Sequence, residues 1–381
     1  MTVQINRERL AATFTELCEI SSPSRKEGAI AAHLKKSFAA LGADSVYEDD
    51  SASRTGSESG NLIVRFAGNQ PEREGLFFSC HMDTVEPGMG VRVVRTDDIF
   101  TSAGETVLGG DDKTGIAAVL ELLALLKENR IPHPKIEVVV TTCEEIGLLG
   151  AKHLDYKKLE TPYGYALDST GINHVVIGAP AANKIMIELK GVAAHAGLCP
   201  EAGINALALT VQALADIRLG RLDDESTCNF GIIEGGVATN IVPGKVTLRG
   251  EVRSHSQEKL SRYTEEIFAA FQSTVDNWQG GPATGDGRPS LAITIVDDYP
   301  PLSLAEDTPV IKRVQKASAA SGKNLRYIVA GGGSDANIFN GFGLPTAIIA
   351  TGMSKVHTVE ERLDLNDLVN LTELLYALTL A

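Results

Sequence analysis

GLFFSCHMDTV (75–85), GGDDKTGIAAVLELLALL (109–126) and IEVVVTTCEE (136–145) form the stretch that decides the fold of this chain. The first and third pieces open on short apolar, aromatic or β-branched runs of strand length, at 75–80 and 136–142. Between them, 113–128 carries apolar residues at helical spacing. A strand, a helix and a second strand within about seventy residues make a βαβ unit, and hence a parallel pair. His81 and Asp83 stand just after the first strand. Asp111 and Asp112 open the helix, and Glu144 and Glu145 follow the second strand.

The same alternation extends both ways. Residues 7–20 and 27–41 have helical periodicity, and NLIVRFA (61–67) and GYALD (164–168) read as strands. Asp168 ends the latter. From about residue 180 the rhythm changes. A strand (KIMIELKG, 184–191), a helix (205–218), strands near 227–234 and 245–253, a helix (257–277) and a strand (LAITIVD, 291–297) give the order βαββαβ. The turn-rich segment 278–290 precedes the last of these strands, so it is not a boundary. Helix and strand resume at 310–321, 325–330 and 345–350, and a helix near 365–380 closes the chain. His357 follows the strand at 345–350 by a short loop. The expected fold class is α/β: a mainly parallel-sheet domain in two segments, 1–179 and 299–381, with an inserted βαββαβ two-layer sandwich at 180–298.

The chain has 381 residues, more than one ordinary core accommodates. It is 43% hydrophobic and 22% charged, as folded globular proteins are. A net charge of -14 argues against nucleic acid or an anionic membrane as partner. No apolar run approaches membrane-spanning length, since Glu121 interrupts GIAAVLELLALL, and the N-terminal segment lacks a signal-peptide pattern. Five scattered cysteines with no CxxC pair suit a reducing cytoplasm. LGGDDKTG and AGGGSD do not match the phosphate-binding G-x-x-x-x-G-K-[ST] loop. DKTG (112–115) resembles the phosphorylated aspartate motif of ion pumps, but Ile116 breaks that motif and the pump's membrane helices are missing.

Strand ends at one edge of an open α/β sheet form the usual ligand crevice. His81, Asp83, Asp111, Asp112, Glu144, Glu145, Asp168 and His357 all fall at or just beyond such ends, or on connections at that edge. Imidazoles and carboxylates delivered to one crevice suit divalent ions, and one carboxylate can bridge two of them.

HMDTV (81–85), GGDDKTG (109–115), CEEIGLLG (143–150), LDS (167–169), GVAAHAG (191–197), GGVATNIVP (235–243), GGGSDAN (331–337) and HTVEE (357–361) together resemble the M20 metallopeptidases, in particular the peptidase T-like tripeptide aminopeptidase branch. The fragments run in family order over nearly the whole chain. The resemblance implies two divalent ions per chain, zinc first, with cobalt or manganese as alternatives. His81 and Asp168 would hold one ion and Glu145 and His357 the other. Asp111 would bridge them, often with a cis peptide bond after it. Asp83 would orient His81, and Glu144 would act as general base. The inserted sandwich would be a lid. In it His195 would stabilise the oxyanion, and Asn240 and Arg253 would bind polar groups of the substrate.

The resemblance further implies a short peptide substrate and allows a homodimer, because in some relatives the lid histidine comes from a partner subunit. GGDDK matches the tripeptidase form of its motif, and Asp168 stands where many deacylase relatives have glutamate. A dipeptidase, a carboxypeptidase or an N-acyl-amino-acid deacylase would use the same metal residues, and a silent binding protein could keep the same scaffold. Several residues carry plainer expectations. Asp112 orients backbone or caps the next helix, Lys113 is a solvated helix residue, and Cys80 and Cys143 are small buried residues. Asn240 could instead satisfy a turn, and Arg253 could pair with a neighbouring acid on its sheet. GGGSDAN is a glycine loop near the site or a plain turn. His33, His133, His153, His174 and His255 are surface or core residues.

Overall fold

The structure is a computed structural model that describes residues 4–280 and 287–381. Part of the turn-rich segment 278–290, residues 281–286, lies outside the described residues. The chain divides into two compact units. One comprises residues up to Gly178 with Ser303–Ala330 and Ser334–Ala381; the other comprises Ala179–Leu302 with Gly331–Gly333.

The first unit is built on a mixed sheet. Its centre is four parallel strands in the order Ile136–Thr141, Leu76–His81, Gly164–Ser169 and Thr346–Ala350. Every residue of Leu76–His81, Ile136–Thr141 and Thr346–Ala350 is buried. Continuous burial is what a parallel strand experiences when helices cover both faces. One face carries the helix Gly110–Glu128, buried from Gly110 to Leu126 and packed against the helices Arg7–Glu19 and Leu365–Leu380. On the other face Phe339, from the short helix Asp335–Gly341, meets Phe77 edge-on at 5.3 Å. It joins a core of Ile63, Val139 and Leu154.

The sheet is mainly parallel at its centre, as expected, with antiparallel pairs at its flanks. Leu62–Phe66 runs antiparallel to Ile136–Thr141, and Ser45–Glu48 antiparallel to Leu62–Phe66. His174–Ala179 runs antiparallel to Thr346–Ala350. Several short strands were not legible in the sequence. Ser45–Glu48 and Gly220–Asp223 have only four residues each, too few to establish a period. GGGSDAN proves to be more than a turn: Ser334 and Asn337 form a capping box that starts the helix Asp335–Gly341.

The second unit is a five-stranded antiparallel sheet in the order Gly220–Asp223, Ser226–Gly235, Lys245–Ser254, Ala181–Lys190, Ser290–Tyr299. Ala206–Ala215 and Gln257–Asp276 cover one face of it. Ile185, Ile187 and Leu189 alternate inward from their strand, as do Val246 and Leu248 from theirs. They meet Leu260, Ile267 and Phe271, which recur at helical spacing. Asn205 and Ser256 cap the two helices through their side-chain oxygens.

Candidate metal centre

The four parallel strands end on one edge, and that edge collects the acidic and imidazole side chains. His81 is the last residue of its strand and is buried. Its Nδ1 lies 2.9 Å from the backbone carbonyl of Asp83. A carbonyl only accepts, so Nδ1 carries the proton and Nε2 is left as the nitrogen for a cation. Nε2 faces Asp111 Oδ1 at 3.0 Å. The other oxygen of the same carboxylate, Asp111 Oδ2, faces His357 Nε2 at 3.2 Å. His357 Nε2 in turn lies 3.0 Å from Glu145 Oε2. One carboxylate thus stands between two imidazoles that arrive from opposite ends of the sequence.

Asp111 is held by unusual local backbone. Gly109 before it has a φ of +74°, and the Asp111–Asp112 peptide is cis. Asp112 takes the capping role expected of it: Oδ1 accepts from Gly115 N at 3.1 Å and Oδ2 from His81 N at 3.3 Å, tying helix to strand. A side chain on Gly115 would meet Asp112 Oδ1 and Cys80 Sγ within 3 Å, so only glycine lets the two elements approach so closely.

Asp83 lies beneath the cluster, fully buried. Its carboxylate accepts from Glu144 N at 2.9 Å, Glu145 N at 3.3 Å and Ser24 Oγ at 2.6 Å. It therefore fixes the two glutamates as well as His81, from which its nearer oxygen is 3.5 Å away. The imidazole's closer contact is with the Asp83 backbone, so orientation of His81 comes first from that carbonyl.

The charges form a crowd of acids around few cations. Hydrogen bonds to Asp111 and then Glu145 push His357 up to about 10. Burial opposes charge on His81, but Asp111 and Asp83 outweigh it and lift the imidazole well above its usual value. Burial, then the charge of Asp168, raises Glu144; burial, then Asp111, raises Asp168. Each carboxylate makes it harder to ionise the next, which is the setting that a divalent cation relieves.

Two further observations fit a metal. One ligand atom each from His81, Asp111 and Glu145 lie within 4.8 Å of one another. Glu145 Oε1 is buried and has no hydrogen-bond partner among the described residues. Imidazole nitrogen and carboxylate oxygen are also the donors zinc accepts.

His195, Asn240 and Arg253 belong to the second unit. His195 is exposed, and its Nδ1 accepts from Gly197 N and Leu198 N, each at 3.2 Å. In the neutral ring the proton then sits on Nε2, which becomes an outward donor. The backbone carbonyl of Asn240 accepts from Ala196 N at 2.8 Å, so the two turns are stitched together. Arg253 is bidentate to Glu251 at 2.8 and 3.0 Å.

Lys113 corrects an expectation. It is 1% exposed, and its ammonium donates to Ser22 Oγ at 2.9 Å and Met82 O at 2.8 Å. Its helix is surrounded on every side, so no helix face there is solvated. Two further acids have roles that no sequence pattern marks: the buried Glu27 carboxylate accepts from Cys143 N at 3.1 Å, and Glu361 grips the Asp111 backbone. Acids that bond to backbone far away in sequence leave no local pattern.

The model of Peptidase family M20/M25/M40 matches residues 77–381. The chain belongs to this family. The peptidase is 38% identical over 375 residues to an uncharacterised Bacillus subtilis protein, YqjE, with 98% of each chain covered. It is similar in structure to aminopeptidase PepT from Bacillus cereus, with a TM-score of 0.88, 37% identity and 98% of both chains covered. A Staphylococcus aureus tripeptidase superposes with a TM-score of 0.91, at 35% identity over 98% of both chains. The protein is a metallopeptidase, a hydrolase of peptide bonds. None of the described helices is long and apolar enough to cross a membrane.

Proposed function

We propose that this peptidase is a cytoplasmic two-zinc enzyme that removes the N-terminal residue from tripeptides. The observation that carries the two-ion reading is the position of Asp111, whose two oxygens each face a different imidazole. His81 and Asp168 would hold one ion, Glu145 and His357 the other, with Asp111 shared. Ions bound there would lower the pKa of a water and polarise the peptide carbonyl.

The chain's own residues supply the rest. Glu144 accepts the proton of the attacking water and returns it to the departing amine nitrogen. Asp83 keeps Glu144 and Glu145 in place by bonding both of their backbone N–H groups. His195 Nε2–H is a donor for the carbonyl oxygen as it gains negative charge. Asn240 and Arg253 bind polar groups of the peptide; Arg253 is pre-oriented by Glu251, and a guanidinium suits a carboxylate. The segment 180–298 acts as the lid.

The tripeptide assignment rests on the similarity to the aminopeptidase and tripeptidase above. The test is turnover of tripeptides with free and with acetylated α-amino groups, and of N-acetyl amino acids, after zinc loading. Free tripeptides should be cleaved fastest, releasing one amino acid and a dipeptide. Faster release of acetate from N-acetyl amino acids would replace the aminopeptidase reading with a deacylase.

A further inference from the structure

The loop that carries His357 also carries Glu361, four residues later, and the two side chains reach the same residue from different sides. His357 Nε2 faces the Asp111 carboxylate. Glu361 takes hold of the backbone that presents it: Oε1 accepts from Asp111 N at 3.0 Å and Oε2 from Gly109 N at 2.8 Å. Glu361 is 2% exposed, whereas its neighbour Glu360 is exposed and paired with Lys355. Gly110 sits between the two gripped amides, and a Cβ there would come within 3.1 Å of Glu361 Oε1. Carboxylate and loop are therefore fitted to each other.

We infer that Glu361 is a positioning residue that fixes Asp111 between His81 and His357 and makes the His357 loop and the Gly109–Asp111 turn a single mechanical piece. A carboxylate bonded to two N–H groups leaves the turn little freedom to rotate. The Asp111 oxygens stay aimed at both imidazoles because the turn's backbone cannot swing. The four-residue link to His357 means that displacing Glu361 disturbs both sides of the centre together. A glutamine cannot reproduce this, because its amide nitrogen would present a donor to one of the two N–H groups.

The inference rests on reading Asp111 as a metal ligand, and the experiment separates the two. Protein stripped by a chelator is titrated with cobalt(II), and visible absorption is followed in the native chain, Glu361→Gln, Gly110→Ala and Glu360→Gln. The native chain should take up two equivalents; one or none would overturn the two-ion reading and this inference with it. Given two, Glu361→Gln should bind cobalt about 10–100-fold more weakly, with an altered spectrum at temperatures where it remains folded. Its kcat should fall more than its KM rises. Gly110→Ala keeps the carboxylate but crowds it, and should shift the spectrum in the same direction by less. Glu360→Gln should match the native chain. Native affinity and spectrum in Glu361→Gln would overturn the role; if that variant does not fold, a native spectrum in Gly110→Ala would do so.

Discussion

The sheet edge of the first unit and the turns around His195 hold their functional groups by different means. At the sheet edge, buried carboxylates bond to backbone amides. Asp83 bonds to the amides of Glu144 and Glu145, Glu361 to those of Gly109 and Asp111, and Asp112 to those of Gly115 and His81. All of these bonds but the one from Gly115 to Asp112 join segments distant in sequence, so the positions of the groups are cross-checked by the whole unit. Around His195 the ring itself accepts from two amides of its own turn, a main-chain bond joins that turn to Asn240, and the ring is exposed. The first arrangement suits ligands, which must not move relative to one another. The second suits a group that meets its partner only during the reaction. Substitutions of the supporting carboxylates at the edge should therefore report on rigidity, and those of Glu144 and His195 on chemistry.

The largest effect is expected at the adjacent glutamates. Glu144→Gln keeps size and its backbone bond to Asp83 but cannot take a proton, so kcat should fall by about 10²–10⁴-fold with two metal equivalents retained. Glu145→Gln should instead lower occupancy of the ion shared with His357. Metal titration alongside kinetics distinguishes them, and a reversed pattern would exchange the two roles. A smaller loss is expected from His195→Ala, about 10²–10³-fold in kcat with unchanged metal content, as for loss of an oxyanion donor. An unchanged kcat there would leave the exposed turns with no chemical part and break the contrast. The smallest effect concerns Lys113→Met, which removes the donor from Ser22 Oγ and Met82 O. Urea denaturation should show a loss of about 1.5–3 kcal/mol, the contribution of bonds from a charged donor, while Ser22 Oγ still donates to Met82 O. No loss would mean that the edge is less interlocked than its hydrogen bonds imply.

Legibility in the sequence followed the range of the interactions. The strands Leu76–His81 and Ile136–Thr141 announced themselves because burial on both faces requires a continuous apolar run. The two helices and the four longer strands of 180–298 were equally legible, since alternation and helical spacing switch cleanly there; the short strand Gly220–Asp223 was not. His81, Asp111, Glu145 and His357 stood out as acids and imidazoles just past strand ends, and the structure brings these four into contact. Lys113 misled because helical spacing says which face is apolar only when another face meets water, and here none does.

The sequence by itself determined the alternation of elements, the inserted unit and the residue types gathered at one sheet edge, because these follow from local periodicity and from the direction of parallel strands. Only the tertiary structure decided that the two oxygens of Asp111 divide between His81 and His357. It also decided that Asp83 steadies the glutamates, that Arg253 pairs with Glu251, and that Glu361 grips the turn beneath Asp111. Most of these bonds join residues dozens to hundreds of positions apart. A hydrogen bond is set by distance and angle in space, and the sequence carries no periodic trace of a partner on another strand or loop.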